Sequence, residues 1–222
     1  MNTRSALVVG ASGLVGRHLL GLLLADDTYS RVIVLTRKPL GFAHPKLLEY
    51  MVNFDQLDQR QNVMKGEDVF CCLGTTMRAA GSQDAFRKVD FAYVVQTAAL
   101  SQRNGARQFL VISSLGADVN SRMFYNRVKG EMEEAISKIP FESVRIFRPS
   151  LLLGERRETH LGEAIGIFFV KALSALLGFG GMRRYSAIHA GTVARAMLRA
   201  AKRKLDGVEI IESEEIQSLG LF

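Results

Sequence analysis

Long apolar runs, separated cysteines and clustered basic motifs are all missing from this 222-residue chain, and each absence removes a class of function. The two cysteines, Cys71 and Cys72, are neighbours and so poorly placed to bridge each other. A disulfide framework is thereby excluded, and a reducing cytoplasm is the expected compartment. The N-terminus lacks the basic–apolar–small order of a secretory signal, because the run Ala6 to Val9 is too short for its core. The most apolar stretch, residues 163–177, carries Lys171 near its centre and is too short for a membrane span. A helix roofing a substrate pocket is the expectation there, with peripheral membrane or partner contact as the alternative. The formal net charge is +7, yet the basic residues are dispersed in groups such as Arg156-Arg157, Arg183-Arg184 and Lys202-Arg203-Lys204. None lies in a nucleic-acid motif or is interleaved with aromatics, so the charge reads as solvated surface with some attraction for an anionic cofactor. No nucleic-acid partner and no metal site are expected, and nothing in the sequence sets an oligomeric state.

What is present is organised around residues 6–16, Ala-Leu-Val-Val-Gly-Ala-Ser-Gly-Leu-Val-Gly. A short apolar run feeds into Gly10, Gly13 and Gly16, and an amphipathic segment with Leu14, Val15, Leu19, Leu22 and Leu23 follows. Strand, glycine turn and helix in that order are the context a dinucleotide fingerprint requires. Gly10 permits the tight turn, Gly13 lets backbone approach a pyrophosphate, and Gly16 lets the helix lie close to the sheet. The helix N-terminus offers N–H groups and partial positive charge to the phosphates.

Apolar runs alternate with helix-period segments along the rest of the chain. This predicts a single α/β domain over 1–222, a doubly wound parallel sheet of the Rossmann type. Further strands are expected at Arg31 to Leu35, Leu48 to Val52, Asp68 to Leu73, Phe109 to Ser113, Val144 to Phe147 and Val208 to Ile211. A short polar helix is expected at Gln56 to Val63, and longer ones at Ser82 to Arg103, Phe124 to Ile139 and Thr192 to Ala201. Residues from roughly 149 to 190 form a small substrate-side lobe, and the tail from Glu214 carries no clear signal.

The end of the second strand bears on cofactor choice. A carboxylate there accepts from the ribose 2′-hydroxyl of NAD; this chain reads Leu35-Thr36-Arg37-Lys38 instead. Arg37 is placed to clamp a 2′-phosphate, with Lys38 or Arg17 assisting, so NADP(H) is the expected cofactor. The catalytic candidates come next. Strand five ends in Ser113-Ser114, and a following helix carries Tyr125 and Lys129 four residues apart, hence on one face. A tyrosine titrates near ~10, and a neighbouring ammonium brings it towards working pH. Lys129 can also hold the nicotinamide ribose, and Ser114 can donate to the substrate oxygen while hydride moves at the adjacent carbon.

The set of motifs GASGLVG, Cys-Cys-Leu-Gly-Thr-Thr, Ser-Ser-Leu-Gly-Ala, Tyr-x-x-x-Lys-Gly-Glu and Arg148-Pro149-Ser150-x-x-x-Gly154 resembles the atypical short-chain dehydrogenase/reductases. More narrowly it resembles the HIV-Tat-interacting-protein-like oxidoreductase group, over almost the whole chain. The resemblance implies that Gly10, Ser12, Gly13, Leu14 and Val15 wrap the pyrophosphate and that Asn53 and Phe54 flank the adenine. It implies that Leu73, Gly74 and Thr75 line the nicotinamide half, with Pro149, Ser150 and Leu151 covering the ring. The segment from His189 to Ala196 resembles the one closing the substrate side in extended members. Where the best-known branch has a relay Asn, the nearest residue here is Asp90. The Ser114–Tyr125 interval is shorter than in that branch, which leaves Ser113 as the alternative hydroxyl. The activity implied is NADP(H)-dependent oxidoreduction of an apolar carbonyl or alcohol; the alternative is a cofactor-bound redox sensor or regulatory interaction protein with little catalysis.

Overall fold

The computed structural model of the chain describes residues 3–153, 186–203 and 205–221. The first strand, β1 (Arg4–Val9), carries Ala6, Leu7, Val8 and Val9 with no exposed surface. Such a run, buried on both faces, belongs at the centre of a parallel sheet. The chain then turns through the glycines into α1 (Leu14–Ala25) and returns as β2 (Tyr29–Thr36) and β3 (Leu47–Met51). A 3₁₀ segment, Phe54–Val63, leads to β4 (Asp68–Cys71). After it come α2 (Met77–Ala80), α3 (Gln83–Arg87), a π-helical segment Lys88–Ala92 and α4 (Tyr93–Arg103). Next are β5 (Gln108–Ile112), α5 (Phe124–Ser137) and β6 (Ser143–Arg148). A two-residue strand, β7 (Leu152–Leu153), pairs with β8 (Ile188–His189), and α6 (Ala190–Ala201), β9 (Gly207–Glu212) and α7 (Ser213–Gly220) complete the described chain.

Seven strands form one parallel sheet in the order β3-β2-β1-β4-β5-β6-β9. Chain order reverses between β1 and β4, and the crevice beyond the carboxyl ends of those two strands is where ligands of such sheets bind. One face of the sheet packs on α1 and α6 through Leu19, Leu23, Val193 and Met197. The other packs on α4 and α5 through Val94, Ala98, Met132 and Ile136. This is the expected doubly wound α/β architecture.

The opposite edge of the sheet is closed by buried polar groups rather than left open. At the start of β4, Asp68 accepts from the Tyr29 hydroxyl at 2.6 Å and the Gln108 amide at 2.7 Å, and pairs with Arg4 at 2.9 Å. Burial and the adjacent Asp68 charge push the Tyr29 phenol far above its ordinary value. That tyrosine is locked into the scaffold at the edge away from the crevice.

Two expected helices need correction, and two further helices were not expected. The helix expected over Ser82 to Arg103 is broken in register by the π segment, whose wider turn carries Asp90 into the interior at 1% exposure. A separate turn of helix, α2, is capped by the Thr76 hydroxyl accepting from Ala79 N–H, a local contact that periodicity does not reveal. The helix expected to reach Ile139 stops at Ser137, since Pro140 has no N–H with which to continue it. The tail is a helix, α7, because Ile216 is buried and Gly220 lies so close to Thr192 that a Cβ would come within 2.3 Å of its carbonyl oxygen. Residues 163–177, Gly154 and the basic pairs near 156 and 183 lie outside the described residues.

Candidate cofactor and proton-transfer site

The turn between β1 and α1 has glycine where only glycine fits. Gly10 has φ of +77°, and a Cβ on it would stand 2.5 Å from the Cys72 carbonyl oxygen. A Cβ on Gly16 would stand 2.1 Å from the Gly10 carbonyl oxygen, so the helix lies directly on the turn. Gly13 is the N-cap of α1; no side chain caps that end, and its first turn carries no acid. Ser12 and Gly13 are exposed and Leu14 is partly so, whereas Val15 is buried and offers only its backbone. A Cβ on Gly13 would stand 3.1 Å from the Gly10 oxygen. An open, acid-free helix N-terminus behind a loop of small residues fits the diphosphate of a dinucleotide.

Two features lie beyond the carboxyl ends of β2 and β3. Thr36 Oγ1 donates to the Lys38 carbonyl at 2.8 Å, a tight bend that leaves Arg37 and Lys38 exposed beyond β2. Asn53 is exposed, its side-chain oxygen accepting from Asp55 N–H at 3.0 Å to start the 3₁₀ segment. Phe54 is 5% exposed and its ring lies 5.4 Å from that of Tyr93, so its side chain belongs to the core and only its backbone borders the crevice side.

On the other side of β1, β4 runs out into Leu73, Gly74 and Thr75. Thr75 N–H donates to Asp90 Oδ2 at 2.8 Å, and Lys129 Nζ sits 2.7 Å from Asp90 Oδ1. Both charged side chains are almost wholly buried, at 4% exposure for Lys129 and 1% for Asp90. A Cβ on Gly74 would come within 3.4 Å of Asp90 Oδ1 and 4.0 Å of Lys129 Nζ, so the loop passes directly over the pair. Burial is the largest influence on Lys129 and opposes its charge. The Asp90 carboxylate, and after it Tyr125, outweigh burial and hold the ammonium above the ordinary lysine value. Tyr125 lies in the first turn of α5, partly buried, with its ring 5.2 Å from that of Phe86. Cys71 is buried nearby, and burial pushes its thiol up to about 12. Tyr125 and Lys129 are therefore brought together as their spacing predicts. The carboxylate that holds Lys129, Asp90, stands where the resemblance places a relay Asn, but its pairing with Lys129 had no local signal, because a counter-ion on another helix leaves no trace in periodicity.

Strand five delivers its serines to the same edge. Ser113 N–H donates to the Phe147 carbonyl at 2.7 Å, continuing the ladder of β5 one residue beyond the strand. Side chains alternate along a strand. Val111 packs on the α5 side, so Ser113 continues that face. Its hydroxyl is buried without a hydrogen-bond partner among the described residues. Ser114 is also buried, its hydroxyl making one long contact, 3.4 Å, to the Leu115 carbonyl. Leu115 N–H donates to the Pro149 carbonyl at 3.1 Å, which ties the serine loop to Pro149-Ser150-Leu151. Ser150 is itself anchored, its N–H donating to Ser213 Oγ at 3.2 Å. Arg148 grips Glu133 of α5 through Nε at 3.0 Å and through Nη2, and reaches Glu212 through Nη1 at 3.1 Å. That fork, on the helix turn after Lys129, holds α5 against β6 and β9. His189 is exposed and is the N-cap residue of α6 without a side-chain capping bond.

Residues 10–148 match the model of a family described as NAD(P)H-binding. The chain is 36% identical to protein HTATIP2 of Rattus norvegicus over 225 aligned residues, covering 99% of this chain and 90% of that protein. It is 34% identical to the mitochondrial protein FMP52 of Eremothecium gossypii, covering 97% and 96%. Among solved structures it superposes on a short-chain dehydrogenase/reductase superfamily protein from Agrobacterium tumefaciens with bound NAD. The TM-score is 0.70 at 15% identity, covering 94% of this chain and 77% of that one. The expectation of a cytoplasmic protein is corrected by these relatives: several FMP52 proteins are named as mitochondrial. The inference failed because two unpaired cysteines report a reducing environment and not which reducing compartment supplies it. Among the described residues no helix is long and apolar enough to cross a membrane.

Proposed function

Because the chain belongs to the NAD(P)H-binding family, in the HTATIP2 group of atypical short-chain dehydrogenase/reductases, we propose that it is an NADP(H)-dependent oxidoreductase acting on an apolar carbonyl or alcohol. The observation that carries this reading is the buried Lys129 ammonium, one helical turn from Tyr125 and roofed by the Gly74 loop at the crevice edge. The whole chain, 1–222, works as one domain, with residues from roughly 149 to 190 on the substrate side. A bound nicotinamide supplies or accepts hydride at the substrate carbon. The diphosphate is held by Gly10, Ser12, Gly13, Leu14 and Val15, mostly through backbone N–H groups at the α1 terminus. Asn53 and the Phe54 backbone flank the adenine, Leu73, Gly74 and Thr75 line the nicotinamide half, and Pro149, Ser150 and Leu151 cover the ring. Tyr125 exchanges the proton at the substrate oxygen, and Lys129 keeps its charge beside that phenol. The apolar composition of residues 163–177 supports a hydrophobic substrate. Identifying the co-purified cofactor, then screening aldehydes and ketones for loss of NADPH absorbance, tests the reading; a protein that arrives without cofactor and turns over nothing ends it.

Three substitutions separate the parts. Arg37 is exposed beyond β2 with a basic neighbour and no carboxylate at that position. Arg37→Gln is expected to weaken NADPH binding about 10- to 100-fold, the size of a lost charge-assisted contact, and NADH binding less than about threefold. Fluorescence titration of both cofactors reads this directly, and equal losses would remove the case for a 2′-phosphate clamp. For the substrate hydroxyl, the strand alternation supports Ser113, the alternative to Ser114. Ser113→Ala is expected to lower kcat about 10²-fold, the cost of one oxyanion donor, and Ser114→Ala less than about tenfold. The reverse order in a steady-state assay gives the role to Ser114.

A further inference from the structure

We propose that Asp90 is a positioning residue that keeps the proton on the Tyr125–Lys129 pair, so that at working pH the free site holds the proton that reduction of a carbonyl consumes. The inference rests on the reading of Tyr125 as the proton-transferring group. An ammonium beside a phenol ordinarily draws the phenol towards its basic form. Here an anion stands 2.7 Å from that ammonium, and both are buried where water does not screen them.

The carboxylate has no freedom to leave. Its second oxygen is held by Thr75 N–H at 2.8 Å, the Gly74 loop closes over it, and the π segment Lys88–Ala92 turns it inward. The groups acting on Lys129 come from three elements: Tyr125 on its own helix, Asp90 on the π segment and Cys71 on β4. The Cys71 thiol is neutral at working pH, since burial pushes it up to about 12. The protonated set of phenol, ammonium and carboxylate is therefore neutral overall, and removing a proton leaves a net negative charge in a buried place. Without Asp90 the same loss would take the set from positive to neutral. Burial disfavours net charge, so Asp90 makes the proton harder to remove whichever of the two atoms releases it.

A site that keeps its proton is suited to giving it. In reduction the Tyr125 O–H bond breaks and its proton goes to the carbonyl oxygen. The carbonyl carbon gains a hydride, with its electron pair, of the kind a reduced nicotinamide supplies. The phenolate then recovers a proton from solvent.

The test needs no substrate. Tyrosine labelled with carbon-13 at Cζ, with the Tyr125 signal assigned through Tyr125→Phe, is titrated by NMR in wild type, Asp90→Asn and Asp90→Glu. Asp90→Asn is expected to lower the Tyr125 midpoint by about one pH unit or more, and Asp90→Glu, which restores the charge, to stay within about half a pH unit of wild type. A fall of less than about half a pH unit in Asp90→Asn, or a rise, overturns the proposal. Should Asp90→Asn fail to fold, the double variant D90N/K129M removes both charges together. Its midpoint is expected within about half a pH unit of wild type, and a rise beyond about one pH unit would mean that Lys129 acts unopposed and the proposal fails. With a substrate from the aldehyde screen, Asp90→Asn is also expected to move the acid limb of the pH–rate profile for alcohol oxidation down by about one pH unit, following the Tyr125 midpoint. A displaced titration with no turnover in any variant would overturn the oxidoreductase reading, while leaving Asp90's hold on the proton established.

Discussion

Tyr125→Phe is expected to lower turnover by about 10²- to 10⁴-fold, the range for removing a general acid or base, while leaving NADPH affinity within about twofold. The ring stays. Phenylalanine keeps the packing against Phe86, 5.2 Å away. The cofactor contacts proposed above fall on residues other than Tyr125, so binding and chemistry are expected to separate in this variant. Loss confined to kcat is the signature of a group that acts only as the transition state forms. The measurement is a steady-state assay on the best substrate from the carbonyl screen, paired with NADPH fluorescence titration. Full activity in the variant would remove the proton-transfer role. It would also return the chain to the alternative of a cofactor-bound regulator, whose partners should change between NADP⁺ and NADPH.

The parts of this site that were legible in the sequence are those whose signal is local. Gly10, Gly13 and Gly16 declare a turn because each must avoid a backbone atom within a few residues or on the next strand. Tyr125 and Lys129 declare a shared face because helix geometry fixes residues four apart. The strands were readable to within one or two residues, since β1, β4 and β5 are apolar runs buried on both sides. What stayed hidden depends on partners far along the chain. Asp90 is marked only by its place near a relay position, and its pairing with Lys129 appears when the π segment turns it inward. Arg148 is marked only as part of a motif, and its partners Glu133 and Glu212 come from other elements. Arg145, in the middle of β6, is fully buried and paired with Glu209 at 3.0 Å on the neighbouring strand, where pattern alone would have placed an apolar side chain. Asn53 is exposed, whereas the ring of the neighbouring Phe54 packs into the core against Tyr93, a contact between distant residues that local pattern does not carry.

Lys129→Met carries the largest expected effect on stability, because it strands a carboxylate. Methionine fills the space of the lysine stem, so little cavity forms, but Asp90 at 1% exposure loses the cation that pairs with it. Breaking a buried ion pair from one side costs about 3–5 kcal/mol. Against a total stability of about 5–15 kcal/mol, the urea midpoint should fall by about a fifth or more. Removing both partners in D90N/K129M should cost less than the single change, because no unpaired charge remains inside. The pH dependence carries its own sign. Lys129 is raised in the folded protein, so its stabilisation is complete below the unfolded lysine value near ~10.4 and is lost only as pH climbs through the folded value. On this account wild-type stability stays flat across neutral pH. In Lys129→Met the stranded carboxylate is relieved by taking a proton, so the variant should recover part of its deficit as pH falls towards the acid range, where the wild type gains nothing comparable. Urea denaturation at several pH values reads both slopes. A deficit that does not shrink on acidification would mean that Asp90 had found another partner, and the closed electrostatic set around Tyr125 would then have to include that group.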